Sequence, residues 1–159
     1  MQEAERELSF YFDTSAIAKL YHAETGSAVV EELLAKNQPV YLSRLGVLEM
    51  HSVLSGKVRT GALTQAAADK TLQLFRGDVR RRRFRIVTLR VRHYELAEKL
   101  IAAHGVASAL RTLDSLQMAV ALDLARAGVV GALVTSDKTM IRVAAFEQIL
   151  CIDPATAAS

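Results

Sequence analysis

The sequence predicts an α/β protein, a three-layer α/β/α sandwich built on a parallel sheet of about five strands. Five short apolar runs have the length and composition of strands, and longer segments with helical periodicity lie between them. Most of these strands are too apolar to leave one face in water, so helices are expected to cover both faces. In such sheets, functional residues gather beyond the carboxyl ends of the strands, near the point where strand order reverses.

The predicted strands and helices alternate along the chain. The strands are predicted at residues 9–13, 40–43, 85–89, 132–136 and 148–152. The helices are predicted at residues 14–22, 25–36, 44–59, 64–83, 91–104, 112–127 and 138–146. Hydroxyl side chains suited to N-cap positions stand at three helix starts, as Thr25 or Ser27, Ser43 and Thr64. Gly105 is expected to end the helix at 91–104.

Length and composition predict one cytoplasmic domain. With 159 residues, of which 51% are hydrophobic, the chain can bury a substantial core. The core is expected at residues 8–153, with flexible ends at 1–7 and 154–159. No run approaches the ~20 apolar residues of a membrane-spanning helix, and the polar N-terminus has no signal-peptide pattern. A single cysteine, Cys151, excludes a disulfide framework and a thiolate zinc cluster.

Two aspartates follow apolar strands. Asp13 comes directly after the run FYF, and Asp137 follows ALVTS; a helix is predicted after each. Either residue alone could be an ordinary N-cap. Because neighbouring parallel strands end at the same sheet edge, two such carboxylates are also expected to lie close together.

Two more acids stand in helices. The apolar ridge of the helix at 44–59 is predicted to contain Leu45, Leu48 and Val53, and Glu49 falls on that ridge. A charged side chain is seldom buried without a partner, although a glutamate at the ridge edge could also snorkel or pair with an arginine. Asp114 lies in the first turn of the helix at 112–127, where an interaction with the helix dipole is the simpler explanation.

This set of acids indicates a hard-cation site. Several carboxylates, without a cysteine cluster or a histidine pair at ligand spacing, favour Mg²⁺ or Mn²⁺ over zinc. Carboxylates placed a few ångströms apart repel one another and raise each other's pKa unless a cation neutralises them. A bound cation can lower the pKa of a water molecule and orient a phosphodiester.

Four segments carry a family resemblance: FDTSAIAKLY, LGVLEMHSVLSGK, LRTLDSLQMAVAL and LVTSDKTMIRVA. In order and spacing they resemble the acidic motifs of PIN domains, and most nearly those of VapC-like toxins. The resemblance runs from about Phe10 to Ile152. It implies a Mg²⁺- or Mn²⁺-dependent endoribonuclease. Asp13, Glu49, Asp114 and Asp137 would then be both the catalytic and the metal-binding residues.

The resemblance also implies supporting residues and partners. Ser15, Thr135 and Ser136 would orient the carboxylates or contact a phosphate. Family members are commonly homodimers, and many are inhibited by a small antitoxin, so the chain would be the toxin of a type II toxin–antitoxin module. Two departures stand out, since Gln117 replaces a histidine common in relatives, and no further acid follows Asp137 closely.

A basic block lies at residues 76–85. Its six arginines and one aspartate carry a net charge of +5. Because the whole chain has a formal net charge of +3, the other residues sum to −2. Arg76, Arg80 and Arg83 are predicted to share one helix face. The block could bind RNA phosphates, form a solvated helix end, or dock an acidic antitoxin segment. Among the candidate RNA contacts Arg80, Arg83, Lys57, Arg59 and Arg111, the last three are expected nearer the acidic site.

Other functions fit the same pattern less well. A housekeeping PIN domain is one alternative. A catalytically silent PIN domain that only binds RNA would keep the fold without turnover, but the full set of four acids argues against it. A phospho-accepting receiver domain also places acids at strand ends, but it requires a lysine at the end of its last strand. The segment Cys151-Ile152-Asp153-Pro154 supplies none.

Overall fold

The computed structural model describes residues 9–157, so the predicted flexible end at 1–7 lies outside the described residues. Five parallel strands form one sheet in the order β3-β2-β1-β4-β5. They are β1 (Phe10–Phe12), β2 (Val40–Ser43), β3 (Arg85–Val87), β4 (Ala132–Val134) and β5 (Cys151–Ile152). The helices are α1 (Thr14–Ala18), α2 (Ser27–Ala35), α3 (Arg44–Arg59), α4 (Gln65–Arg80), α5 (Val91–Ser108), α6 (Thr112–Arg126), α7 (Lys138–Phe146) and α8 (Pro154–Ala157).

The alternation of side chains along β1 produces the layers. Phe10 and Phe12 pack into a hydrophobic cluster with α1, α2, α3 and α4. Tyr11 points to the opposite face, where its cluster contains residues of α5, α6 and α7. Helices therefore cover both faces, and the prediction of a parallel α/β/α sandwich is confirmed.

Strand order reverses between β1 and β4. The chain adds β2 and β3 on one side of β1 and then returns to place β4 on its other side. The backbone N–H of Asp13 donates to the carbonyl oxygen of Val134 at 3.1 Å, which continues the pairing to the strand ends. The residues that follow β1 and β4 therefore meet at the position where open parallel sheets form ligand sites.

The basic block does not continue one helix. α4 ends at Arg80, and Arg82 has a left-handed backbone with φ of 57°. Arg81 and Arg83 turn back to contact Asp78, each with a 2.9 Å ion pair. The prediction that Arg76, Arg80 and Arg83 share one helix face is therefore wrong.

Helix ends show where local patterns succeed. Ser43 and Thr64 are confirmed as N-caps, because each side chain accepts a hydrogen bond from the backbone N–H three residues later in the chain. Neither Thr25 nor Ser27 caps α2, since Gly26 occupies that position. Gly105 does not end α5, which continues to Ser108.

The short helix α8 packs against α2. Gly26, with φ of 92°, permits this contact, because a Cβ there would lie 2.8 Å from the carbonyl group of Pro154. Pro154 is buried, so the predicted flexible end at 154–159 begins with an ordered turn of helix; residues 158 and 159 lie outside the described range. In the chain from 9 to 157, no helix is long and apolar enough to cross a membrane.

Candidate active site

The four predicted acids line one pocket of about 220 Å³. Asp13 follows β1, Glu49 comes from α3, Asp114 lies in the first turn of α6, and Asp137 is the N-cap of α7. The fold thus brings together carboxylates that are distant in the chain, at the carboxyl edge of β1 and β4. Thr14, Ser15 and Gln117 also line the pocket.

Asp13 is the most buried of the four, with 5% of its surface exposed. It accepts hydrogen bonds from Ser15 Oγ (2.8 Å), the Ala16 backbone N–H (2.8 Å) and Thr135 Oγ1 (2.7 Å). Burial raises the pKa of Asp13 to about 6, although these hydrogen bonds oppose the shift and the charge of Asp137 adds to it. Asp13 therefore caps α1 and also presents a carboxylate at the pocket.

Asp137 acts electrostatically on two other acids. Its Oδ1 accepts from the Met140 backbone N–H at 2.8 Å, which caps α7. Burial raises the pKa of Asp114, and the charge of Asp137 raises it further, while Arg111 opposes the shift. Since Asp137 also raises the pKa of Asp13, the three aspartates interact through space.

Glu49 is half-buried beside the pocket. Its Oε2 accepts from Thr14 Oγ1 at 2.9 Å and from Gln117 Nε2. The predicted ridge is partly wrong, because Leu48 is 66% exposed and the buried side of α3 is formed by Gly46, Met50 and Leu54. The inward position predicted for Glu49 nevertheless agrees with the structure.

Gln117 connects the pocket to the core, a role that was not predicted from the sequence. Its amide contacts Tyr11, Thr14, Ser43 and Glu49. A signal was present, because Gln117 is a polar residue inside α6 residues 115–122, all of which are buried. A polar side chain in such a run requires hydrogen-bond partners.

The predicted hydroxyl residues separate into two groups. Ser15 and Thr135 donate to Asp13, as the resemblance implied. Ser136 does not contact the four acids, because its Oγ donates to Asp153 at 2.9 Å. Its predicted role beside the carboxylates is therefore not supported by the geometry.

None of the five predicted RNA-contacting cations is among the residues described as lining the acidic pocket. Lys57 forms a 3.2 Å ion pair with Glu24, and Arg59 is exposed near the end of α3. Arg111 is exposed at the start of α6, three residues before Asp114. Of these three, Arg111 is close enough to Asp114 for its charge to oppose the rise that burial causes in the pKa of that carboxyl.

The basic block divides between two other cavities. Arg76 and Arg80 line a groove of about 780 Å³ beside α3, together with Arg44. Arg83 and Arg82 line a separate pocket of about 380 Å³ near the start of β2. Arg80 and Arg83 therefore face different surfaces, and the block is not one binding surface.

The chemistry of the pocket suits a divalent cation. Its polar side chains are carboxylates, hydroxyls and one amide. The negatively charged groups that could bind a metal are therefore all carboxylates, whose oxygen atoms Mg²⁺ and Mn²⁺ prefer as ligands. Over residues 9–157, no three Asp, Glu, His or Cys side chains are arranged as a ready cation site. The donor set fits the ion, whereas its coordination would require adjustment of the carboxylate side chains.

Comparison with known proteins agrees with this geometry. A family model described as PIN domain matches residues 10–146. The structure of VapBC2 from Rickettsia felis bound to a promoter DNA fragment is similar, with a TM-score of 0.58, 16% identity, and coverage of 91% of this chain and 98% of that one. The structure of FitAcB from Neisseria gonorrhoeae is also similar, with a TM-score of 0.59, 15% identity, and coverage of 91% of this chain and 97% of that one.

A third similar structure is PAE2754 from Pyrobaculum aerophilum, with a TM-score of 0.55, 18% identity, and coverage of 86% of this chain and 79% of that one. No curated protein matches the chain significantly. These similar structures establish the fold. Because the family model covers most of the chain, the alternative of a receiver domain is excluded. The chain therefore belongs to the PIN domain family.

Proposed function

We propose that this protein is a Mg²⁺- or Mn²⁺-dependent endoribonuclease. PIN domains are generally nucleases that use divalent metal ions. The observation that carries the proposal is the convergence of Asp13, Glu49, Asp114 and Asp137 on one pocket at the switch point of the sheet. Such a pocket suits a phosphodiester, whose negative charge requires a cation before it can approach carboxylates.

The four acids are assigned different tasks in this proposal. Asp13, Asp114 and Asp137 would hold the principal ion, and Glu49 would help to hold a second ion or the attacking water. The bound ion would stabilise charge on the phosphodiester and lower the pKa of a bound water molecule. Ser15 and Thr135 keep Asp13 in place through their hydrogen bonds. Burial raises the pKa of Asp13 to about 6 in the ion-free protein, so a cation must compete with a proton for this carboxylate below that pH.

We further propose a cytoplasmic toxin, active as a homodimer, with a small antitoxin as its partner. Two of the similar structures bear the names VapBC2 and FitAcB and belong to toxin–antitoxin systems. The groove beside α3 combines exposed apolar Leu48 with Arg44, Arg76 and Arg80, a composition suited to an acidic segment with apolar side chains. Co-expression with the product of a neighbouring small gene, followed by size-exclusion chromatography, tests the partner and the dimer.

The activity is tested with purified protein, single-stranded RNA, and Mg²⁺ or Mn²⁺ after dialysis against EDTA. Asp13→Asn and Asp114→Asn should each lower the cleavage rate by about 100-fold or more, since ion coordination contributes several kcal/mol. Asp69→Asn, at an exposed position of α4, is the matched control and should cleave normally. Equal cleavage by wild type and both site variants would refute the assignment. RNA binding without ion-dependent cleavage would instead indicate a silent PIN domain.

A further inference from the structure

A buried network of polar side chains lies behind Glu49. Gln117 is 3% exposed, and the Tyr11 and Ser43 side chains that contact it are also buried. Thr14 completes the network at the floor of the pocket. The network joins α6 to β1, the end of β2, and α3, although these elements are distant in sequence.

The donors and acceptors determine how the Gln117 amide is oriented. The hydroxyl of Tyr11 and that of Ser43 (2.9 Å) both donate to Gln117 Oε1. Ser43 Oγ already accepts from the Gly46 backbone N–H at 2.9 Å, so its proton is free for Gln117. With Oε1 bonded in this way, Nε2 faces Glu49 Oε2 and Thr14 Oγ1. The reversed amide would place Oε1 against a carboxylate oxygen and would be repelled.

This orientation leaves the two oxygens of Glu49 unlike each other. Oε2 accepts from Gln117 and from Thr14. In the described part of the chain, no protein group donates to Oε1. The network therefore occupies one carboxylate oxygen and leaves the other available to a ligand in the pocket.

The backbone of α3 packs tightly on this network. A Cβ at Gly46 would lie 3.2 Å from Thr14 Oγ1 and 3.4 Å from Gln117 Nε2. Glycine at this position thus lets the first turn of α3, which precedes Glu49, approach the amide closely. The glycine in the segment LGVLEM has a packing role that its helical location does not suggest.

We propose that Gln117 is a positioning residue, which fixes Glu49 so that its Oε1 faces the bound ion or the attacking water. The inference rests on the proposed function, because it assigns Glu49 a ligand. Groups that orient metal-binding carboxylates affect ion affinity by about 10–100-fold when they are removed. In this role Gln117 acts through its hydrogen bond to Glu49 Oε2.

The test compares variants of the whole chain by Mn²⁺ affinity, measured by electron paramagnetic resonance, and by kcat and KM for RNA. Gln117→Met keeps the length of the side chain and removes both hydrogen-bonding groups. It should weaken Mn²⁺ binding by about 10-fold or more and lower kcat, with KM for RNA changed less. Gln117→His retains one donor and one acceptor and should recover most of the loss. Gln73→Met, at an exposed position of α4, is the matched control.

A second measurement does not depend on a folded variant. The side-chain amide resonances of Gln117 in the wild-type protein should shift when diamagnetic Mg²⁺ is added, since the amide is bonded to Glu49. A folded Gln117→Met with wild-type affinity and kcat, or amide resonances that ignore saturating Mg²⁺, would overturn the inference. If wild type binds Mn²⁺ but does not cleave RNA, the proposed function fails while the affinity ratios still decide the role of Gln117. If wild type binds no ion, both fail.

Discussion

In the ion-free protein, the unfolding free energy of Asp13→Asn should increase relative to that of wild type as the pH rises. Folding raises the pKa of Asp13 from 3.8 to about 6, chiefly through burial. Protonated Asp13 therefore favours the folded state, and this contribution is lost as pH rises through about 6. Proton linkage with these two pKa values gives about 1 kcal/mol at pH 5 and almost nothing at pH 8. Asp13→Asn lacks this titration and can still cap α1.

The measurable quantity is the unfolding free energy of Asp13→Asn minus that of wild type, from urea titrations in EDTA. This difference should rise by about 1 kcal/mol between pH 5 and pH 8, which corresponds to roughly 2–4 °C in melting temperature. Titrations of residues that do not interact with Asp13 cancel in this difference. Asp69→Asn, which is exposed on α4, should show no such change. A difference that stays constant across the pH range would refute the burial argument.

Three further predictions concern the ion, the basic block and α8. Mg²⁺ at about 100 times its dissociation constant should raise the unfolding free energy of wild type by about 2.7 kcal/mol but have little effect on Asp137→Asn, as measured by calorimetry. Asp78→Ala removes the acceptor of two arginines and a tyrosine and should cost about 2 kcal/mol in urea denaturation, whereas Asp69→Ala should cost less than about 0.5. Gly26→Ala should lower the melting temperature more than Gly61→Ala. Both glycines have positive φ, but a Cβ at Gly26 would collide with backbone atoms of α8, whereas a Cβ at Gly61 would meet nothing within 4 Å.

Local patterns in the sequence were sufficient to predict the three layers of the fold and the convergence of the acidic residues. The run FYF in β1 is apolar on both faces, which requires helices on both sides of the sheet. Asp13 follows β1 directly and Asp137 lies three residues beyond the end of β4, so their convergence required only that those strands be neighbours. Glu49 was identified because a charge on an inward helix face needs a partner.

The hydrogen bonds of Gln117 could not be predicted in the same way. Its partners Tyr11, Ser43 and Glu49 are 106, 74 and 68 residues away in the chain, and no local periodicity relates them. The end of α4 was missed for a different reason. Four consecutive arginines are compatible with a helix, and the sequence pattern did not show that Arg81 and Arg83 would fold back onto Asp78. The Arg83 backbone N–H also donates to the Asp78 carbonyl oxygen, which closes the turn at Arg82.

The distribution of ion pairs explains why the pocket should attract a cation from solution. Across residues 9–157, the acids that form salt bridges are Glu24, Asp78, Asp123, Glu147 and Asp153. None of the four pocket acids is among them. Lys57, on the same helix as Glu49, instead pairs with Glu24. Hydroxyl and amide donors hold the pocket carboxylates but carry no charge, so they leave the repulsion among the three aspartates in place. Because the repulsion destabilises the ion-free fold, a divalent ion that removes it gains affinity. The charge of Asp137 that it would neutralise is the one that adds to the effect of burial on the pKa of Asp13 and Asp114.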